Sequence, residues 1–518
     1  MCIRDSIRGR PELAECLLCG SRITYIDPET GRVYRSRSEI NKLIKSRIEF
    51  YPKHAIKEWN QKLEEYLEGR ISLEELKNTK ARPKLLTKVK IINKDLRFEP
   101  CNKEDNEKLW KALEKLKQVW GDPDIPTEPL PPYGSRGMGG DLKTIIWGLD
   151  KWYKHFNPRQ LLNLVKLIKL IREAGKKIEE EKLKKGWDEG EAFGYAEAVT
   201  TYLTIALIHF ADYNSISTGW NAGFWGITKI RNTLGFRGIA MQWNWSEVVP
   251  FNKEAPVSYS GIMENYFLNG LSYLVSAVFG SSSRVRVLLD DATVLSKLGN
   301  EGFDVIVTDP PYRHDVSYTE LSDFYYVWLK RALSDDNLVP KFYNDILIYN
   351  AQWESFALNE ISYHKKRLEY FGIKESEDYY EKLMGMAFKK MNELLKDSGL
   401  IVTYFAHSSP EAWIELIEAG WRRAGLRVTR AWSFATESAQ RVTARGKTAL
   451  ESSIVVVWRK KGGDERVADY KDVYGKALEN ARRAMEAALK SGLTSNDLFL
   501  ATMIGVLSTF TSYDRVLR

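Results

Sequence analysis

Phe303-Asp-Val-Ile-Val-Thr-Asp-Pro-Pro-Tyr312 decides how this chain is read. The run ending at Thr308 is short, apolar and β-branched, the pattern of a buried strand, and Asp-Pro-Pro stops it abruptly. Asp309, Pro310, Pro311 and Tyr312 therefore arrive at the carboxyl end of a strand, where open α/β sheets bind ligands. They suit one task. A carboxylate and a backbone carbonyl freed by the prolines can both accept hydrogen bonds from an exocyclic amino group, while a tyrosine ring offers a stacking face for a base. Accepting both amino hydrogens pushes electron density onto the nitrogen. Proline fixes φ and donates nothing, which leaves a stiff loop with outward carbonyls. The competing reading is an ordinary strand-to-loop stop.

Working outward, β-branched runs predict strands over 285–289, 304–308, 400–405, 427–432 and 453–458. Helices are predicted over 317–333 and 379–395, the second closed by Asp397-Ser398-Gly399 as a C-cap. This alternation predicts a mostly parallel sheet with helices on both faces. The 285–289 strand would end in Asp290-Asp291, an acidic pair at the same sheet edge. Upstream, Asn157-Pro158 reads as an N-cap and first turn, with Leu161, Leu162, Val165, Leu167, Ile168 and Ile171 at helical spacing. Residues 195–210 read as a helix apolar nearly all round, hence buried. Further upstream, helices over 55–67 and 106–120 flank a strand over 85–92. The expected organisation is a charged helical region over 1–120, a Pro/Gly-rich linker over 121–150, a helical insertion over 151–280, the α/β domain over 281–462 and a helical tail over 463–518.

At 518 residues and 44% hydrophobic, the chain is long enough for roughly two to four domains with their own cores. No stretch of about 18 apolar residues occurs, and Met1-Cys-Ile-Arg-Asp-Ser6 lacks the apolar core of a signal peptide; a cytoplasmic protein with no membrane partner is expected. The net charge of +8 is modest, but residues 151–186 hold eleven Lys or Arg against four Glu, a local +7. Such a stretch suits a phosphate backbone or is simply a solvated helix face. Cys16 and Cys19, in Cys-Leu-Leu-Cys-Gly, have the spacing of a zinc knuckle, but the only cysteine after them is Cys101, with His54 between. The pair is half a zinc site or a bare turn.

Asp309-Pro-Pro-Tyr312 resembles the catalytic motif of S-adenosylmethionine-dependent amino methyltransferases. Tyr318-Thr-Glu-Leu-Ser-Asp-Phe-Tyr-Tyr-Val-Trp-Leu-Lys-Arg331 narrows the resemblance to the prokaryotic zinc-ribbon-containing adenine-specific DNA methylases whose longer members begin with the domain of unknown function 1156. Phe156-Asn-Pro-Arg-Gln-Leu161, Ala211-Asp-Tyr-Asn214, Met241-Gln-Trp-Asn-Trp245 and Ser452-Ser-Ile454 are similar to other stretches of that family.

The resemblance implies a Rossmann-like class I methyltransferase sheet and methyl transfer to adenine N6 in DNA, within a self-modification or phage-defence system with its own partner proteins. It implies that Asp309 and the Pro310 carbonyl hold the amino group, with Pro311 stiffening the loop and Tyr312 stacking on a flipped base. It also implies that Asp290 or Asp291 sits near the adenine end of the cofactor. Two cofactor assignments come from position alone: Asn157 and Arg159 at a helix N-terminus suited to a phosphate or carboxylate, and His407 just past a strand end. Surface capping and core packing are the respective alternatives. One departure is plain. The family's glycine-rich cofactor loop has no counterpart after any strand, and Gly134 to Gly140 follow a proline run. The expectation is therefore a fragment that starts inside the ribbon. RNA or cytosine N4 methylation is an alternative, and so is a non-catalytic nucleic-acid-binding module.

Overall fold

The computed structural model describes residues 14–15, 22–23 and 53–517, except 94, 133–140, 221–229, 236–237, 243, 283, 312–315, 336–340, 342–352, 375–377, 406–409, 435–452, 463–465 and 493–494. The chain is mixed α/β and divides into two compact units: residues 1–282 with 318–355, and residues 283–317 with 356–518. No helix among the described residues is long and apolar enough to cross a membrane.

The first unit is built on helices. Asn157 accepts from the amides of Arg159 and Gln160 and Gln160 bonds back to the Asn157 amide, a capping box that starts the Pro158–Lys184 helix where the Asn-Pro pair predicts it. The Glu189–Asp212 helix packs against it, and Tyr318–Ala332 lies against both. Phe324 and Trp328 are fully buried, Phe324 stacking on Phe156 and Trp328 meeting it edge-on. The Glu189–Asp212 helix is not buried all round: Ala192, Ala196, Leu207 and Phe210 face the core, while Tyr195 and Tyr202 are exposed. Residues 53–67 form a helix as expected. The predicted 85–92 strand is Thr87–Ile92, paired antiparallel with Asp95–Pro100 in a hairpin whose second strand the charged sequence hides.

This unit buries an unusual amount of charge. Arg172 holds Asp124 through two hydrogen bonds of 2.7 and 2.8 Å. Arg331 donates to the carbonyls of Pro123, Ile125 and Val327 and pairs with Glu128, which Lys330 also reaches. Burial alone would raise Glu128, but Arg331 and Lys330 hold it below the usual carboxylate range. Asp323 accepts from the Trp152 indole at 2.9 Å, and burial pushes its pKa up to about 7. His155, against the other side of Trp152 and bonded to Thr144, is lowered to about 4 by burial.

The second unit holds a four-stranded sheet in the order Leu426–Phe434, Ser453–Lys460, Leu395–Phe405, Phe303–Thr308. It is mixed rather than mostly parallel. Only Phe303–Thr308 and Leu395–Phe405 run parallel, and both other pairings are antiparallel. The physical reason lies in the connections. The Tyr379–Leu394 helix lies on the route between the parallel pair, whereas only the 18 residues between Phe434 and Ser453 join the antiparallel pair of Leu426–Phe434 and Ser453–Lys460. Phe388, Trp413, Leu416 and Trp458 form the core between sheet and helices. Tyr470–Lys490 and Ser495–Phe510 form the expected helical tail, closed by a short parallel pairing of Val467–Asp469 with Arg515–Leu517.

Two expectations fail here. Residues 285–289 form no strand: Val285 and Val287 are 85% and 91% exposed, and among the described residues no strand pairs with them. A β-rich run becomes a strand only when another backbone pairs with it. Asp397-Ser398-Gly399 is not a C-cap but lies within the Leu395–Phe405 strand, at a register shift between Leu395 and Leu400. Gly399 is needed for close approach, since a Cβ there would sit 3.0 Å from the Asp304 carbonyl.

Candidate functional site

Phe303–Thr308 delivers the Asp-Pro-Pro loop. The parallel ladder pairs Val305 with Leu400, Ile306 with Ile401, Val307 with Val402 and Thr308 with Thr403, so the strand is held up to the residue before Asp309. Thr403 is itself buried and accepts from the Trp458 indole at 3.2 Å. Beyond Thr308, Asp309 is exposed, Pro310 is buried and Pro311 is half-buried. An exposed aspartate beside a buried proline is compatible with the acceptor reading. The Pro311 carbonyl is not left open: the Tyr380 hydroxyl donates to it at 2.8 Å. Tyr380 is fully buried near the start of the Tyr379–Leu394 helix. Sequence reasoning missed it, because nothing in Tyr379-Tyr380 marks which ring turns inward.

Asp290 and Asp291 belong to the same unit but serve their own turn. Asp290 accepts from the Lys297 amide at 2.6 Å, the Asp291 amide at 2.9 Å and the Ser296 hydroxyl at 3.1 Å. The Lys297 amide leads in holding its carboxyl below the usual range. Asp291 takes the Thr293 amide and hydroxyl. These bonds tie down a turn in which Leu295 adopts a left-handed φ of 47°.

Asn157 and Arg159 lie in the helical unit, and their anion is already present. Glu247 accepts from Arg159 Nη2 and from the Asn157 side-chain nitrogen, each at 2.9 Å, and its other oxygen pairs with the guanidinium 2.9 Å from Nε. A carboxylate at a helix N-terminus opposite a forked guanidinium is a favourable pairing, and the protein supplies it internally. Glu247 follows the Met241-Gln-Trp-Asn-Trp245 stretch by two residues, but no local pattern pairs it with a helix 88 positions upstream.

Tyr312, His407, Cys16 and Cys19 lie outside the described residues, as does His314. Among the described residues, no group of His, Cys, Asp and Glu is arranged to hold a metal ion. The basic stretch is largely neutralised: Lys151 and Lys154 pair with Glu64, Arg159 with Glu247, Lys169 with Asp122, Arg172 with Asp124 and Lys177 with Glu173. Lys182 stacks over Trp187 and Tyr195.

No protein-family model, curated protein or solved structure matches the chain. The site's chemistry therefore rests on its own geometry and on the resemblance in its motifs.

Proposed function

We propose that this chain receives the adenine in an S-adenosylmethionine-dependent DNA N6-methyltransferase built on a Rossmann-like sheet. The observation that supports this is the Asp309-Pro310-Pro311 segment at the carboxyl end of an apolar parallel strand, with Asp309 exposed and the loop pinned at Pro311. The Asp309 carboxylate and the Pro310 carbonyl are both pure acceptors, matched to the two hydrogens of an exocyclic amino group. Holding both hydrogens orients the amino nitrogen and raises its electron density, a gain in positioning and electrostatics that needs no covalent intermediate.

Two of the contacts expected for S-adenosylmethionine are already engaged among the described residues. The acidic pair expected near its adenine is engaged in a turn, and the helix N-terminus expected for its carboxylate holds Glu247. That observation favours a second reading, a non-catalytic module that binds an extruded base through the same acceptors. The acceptor chemistry is equally open to cytosine N4 and to RNA bases.

The deciding experiment combines calorimetric titration of the chain with S-adenosylmethionine and transfer of labelled methyl groups to adenine-containing duplex DNA. If the reading holds, the wild type labels adenine N6, and Asp309→Ala lowers kcat by about 100-fold or more, the scale of a lost transition-state acceptor. Adenine-dependent DNA binding that Asp309→Ala weakens, with neither cofactor binding nor transfer, would establish the binding module instead.

A further inference from the structure

The two prolines make the acceptor segment a stiff rod, and the structure holds that rod at both ends. Proline locks φ at positions 310 and 311, and a residue that precedes a proline is restricted to extended ψ, which covers Asp309 and Pro310. One end of the rod is fixed by the parallel ladder, which runs through Thr308 opposite Thr403. The soft torsion between the ladder and the rod is φ of Asp309, and rotation about it swings the Pro310 and Pro311 carbonyls together, so that holding the Pro311 oxygen holds both. The Tyr380 hydroxyl donates to this oxygen at 2.8 Å. The ring behind the hydroxyl cannot swing away, because Tyr380, Met384 and Phe388 follow one helical face and are all buried in the core of the sheet unit.

We propose that Tyr380 is a positioning residue for the amino-group acceptor pair: its hydroxyl clamps the Pro311 carbonyl and thereby sets the direction of the Pro310 carbonyl beside the Asp309 carboxylate. This rests on the reading of Asp309 and Pro310 as amino-group acceptors. Tyr380 touches no substrate itself. It turns a stiff but hinged segment into one fixed at both ends, and reactions that depend on orientation lose rate steeply when acceptors drift.

The test compares the full chain with Tyr380→Phe, which keeps the buried ring and deletes only the hydroxyl, and with Tyr379→Phe as a control. Tyr379 also donates to a backbone carbonyl, that of Leu358, away from the rod. Two readouts are taken: hydrogen–deuterium exchange of the backbone amides that follow Pro311, and steady-state methyl transfer to adenine-containing DNA. The expected result for Tyr380→Phe is about tenfold faster exchange in that segment with the Tyr379–Leu394 helix unchanged, and kcat about tenfold lower with KM within twofold. Tyr379→Phe should change neither. Unaltered exchange after Pro311, or an unaltered kcat in an active enzyme, would overturn the clamp. If the wild type transfers no methyl group, the methyltransferase reading fails and Tyr380 loses its positioning role; the exchange data then report separately whether the hydroxyl holds the rod.

Discussion

The buried charges of the helical unit and the exposed valines on the edge strand of the sheet unit both run against hydropathy, in opposite directions. In the helical unit, Arg172, Arg331, Asp124 and Asp323 are taken out of water, and each finds partners that replace it. In the sheet unit, Phe303–Thr308 has the apolar sequence of an inner parallel strand, yet among the described residues it ends the sheet, and Val305 and Val307 are 52% and 64% exposed. The contrast within the sheet is as clear, since Ile454 to Trp458 on the inner strand are all buried and successive residues point to opposite faces. Polar residues can be the most committed part of a fold and apolar residues the least, because commitment follows partners rather than hydropathy.

Breaking the committed side should cost most. Arg331→Ala leaves Glu128 with Lys330 alone and removes a donor from the Pro123 and Ile125 carbonyls; a loss of about 3–5 kcal/mol is expected, read as a lower urea midpoint at constant slope. A loss below about 1 kcal/mol would show the cluster to be solvated.

A subtler break uses pH. Asp323 has a folded pKa raised to about 7, so its contribution is present at low pH and is lost as pH rises toward 7. His155 has a folded pKa lowered to about 4, so its contribution is present near neutrality and is lost as pH falls below its ordinary value of 6.5. The two slopes oppose each other. Asp323→Asn keeps an acceptor for the Trp152 indole and removes one slope. Stability of the variant should therefore rise from pH 4 to 6.5 relative to the wild type, by on the order of 1 kcal/mol per pH unit. Parallel curves for the two proteins would refute the assignment.

The smallest effect is expected at the open edge. Val307→Lys should change stability by no more than about 0.5 kcal/mol, because the valine loses little contact with the rest of the unit. It should also reduce self-association in sedimentation, since a lysine on an edge strand discourages pairing with another chain. A loss of several kcal/mol would mean that the edge is covered in solution and would erase the comparison.

Much of the candidate site was legible in the sequence, because it is a local feature: an apolar run, a carboxylate and two prolines occupy nine consecutive positions, and their backbone restrictions need no distant partner. The Asn157 cap was legible for the same reason, as its partners lie two and three residues on. Residues 285–289 misled because β propensity reports what would suit a strand, not whether a neighbour exists, and Asp397-Ser398-Gly399 misled because a glycine that permits close approach looks like one that ends a helix. Sequence by itself thus determined the helices, the strand carrying the loop and the acceptors at its end, all set by interactions within a few residues. Only the tertiary structure decided the mixed pairing of the sheet, the occupation of the Arg159 site by Glu247 and the grip of Tyr380 on Pro311. Each of these joins residues that the chain separates widely, and no periodicity or motif encodes which distant group will arrive.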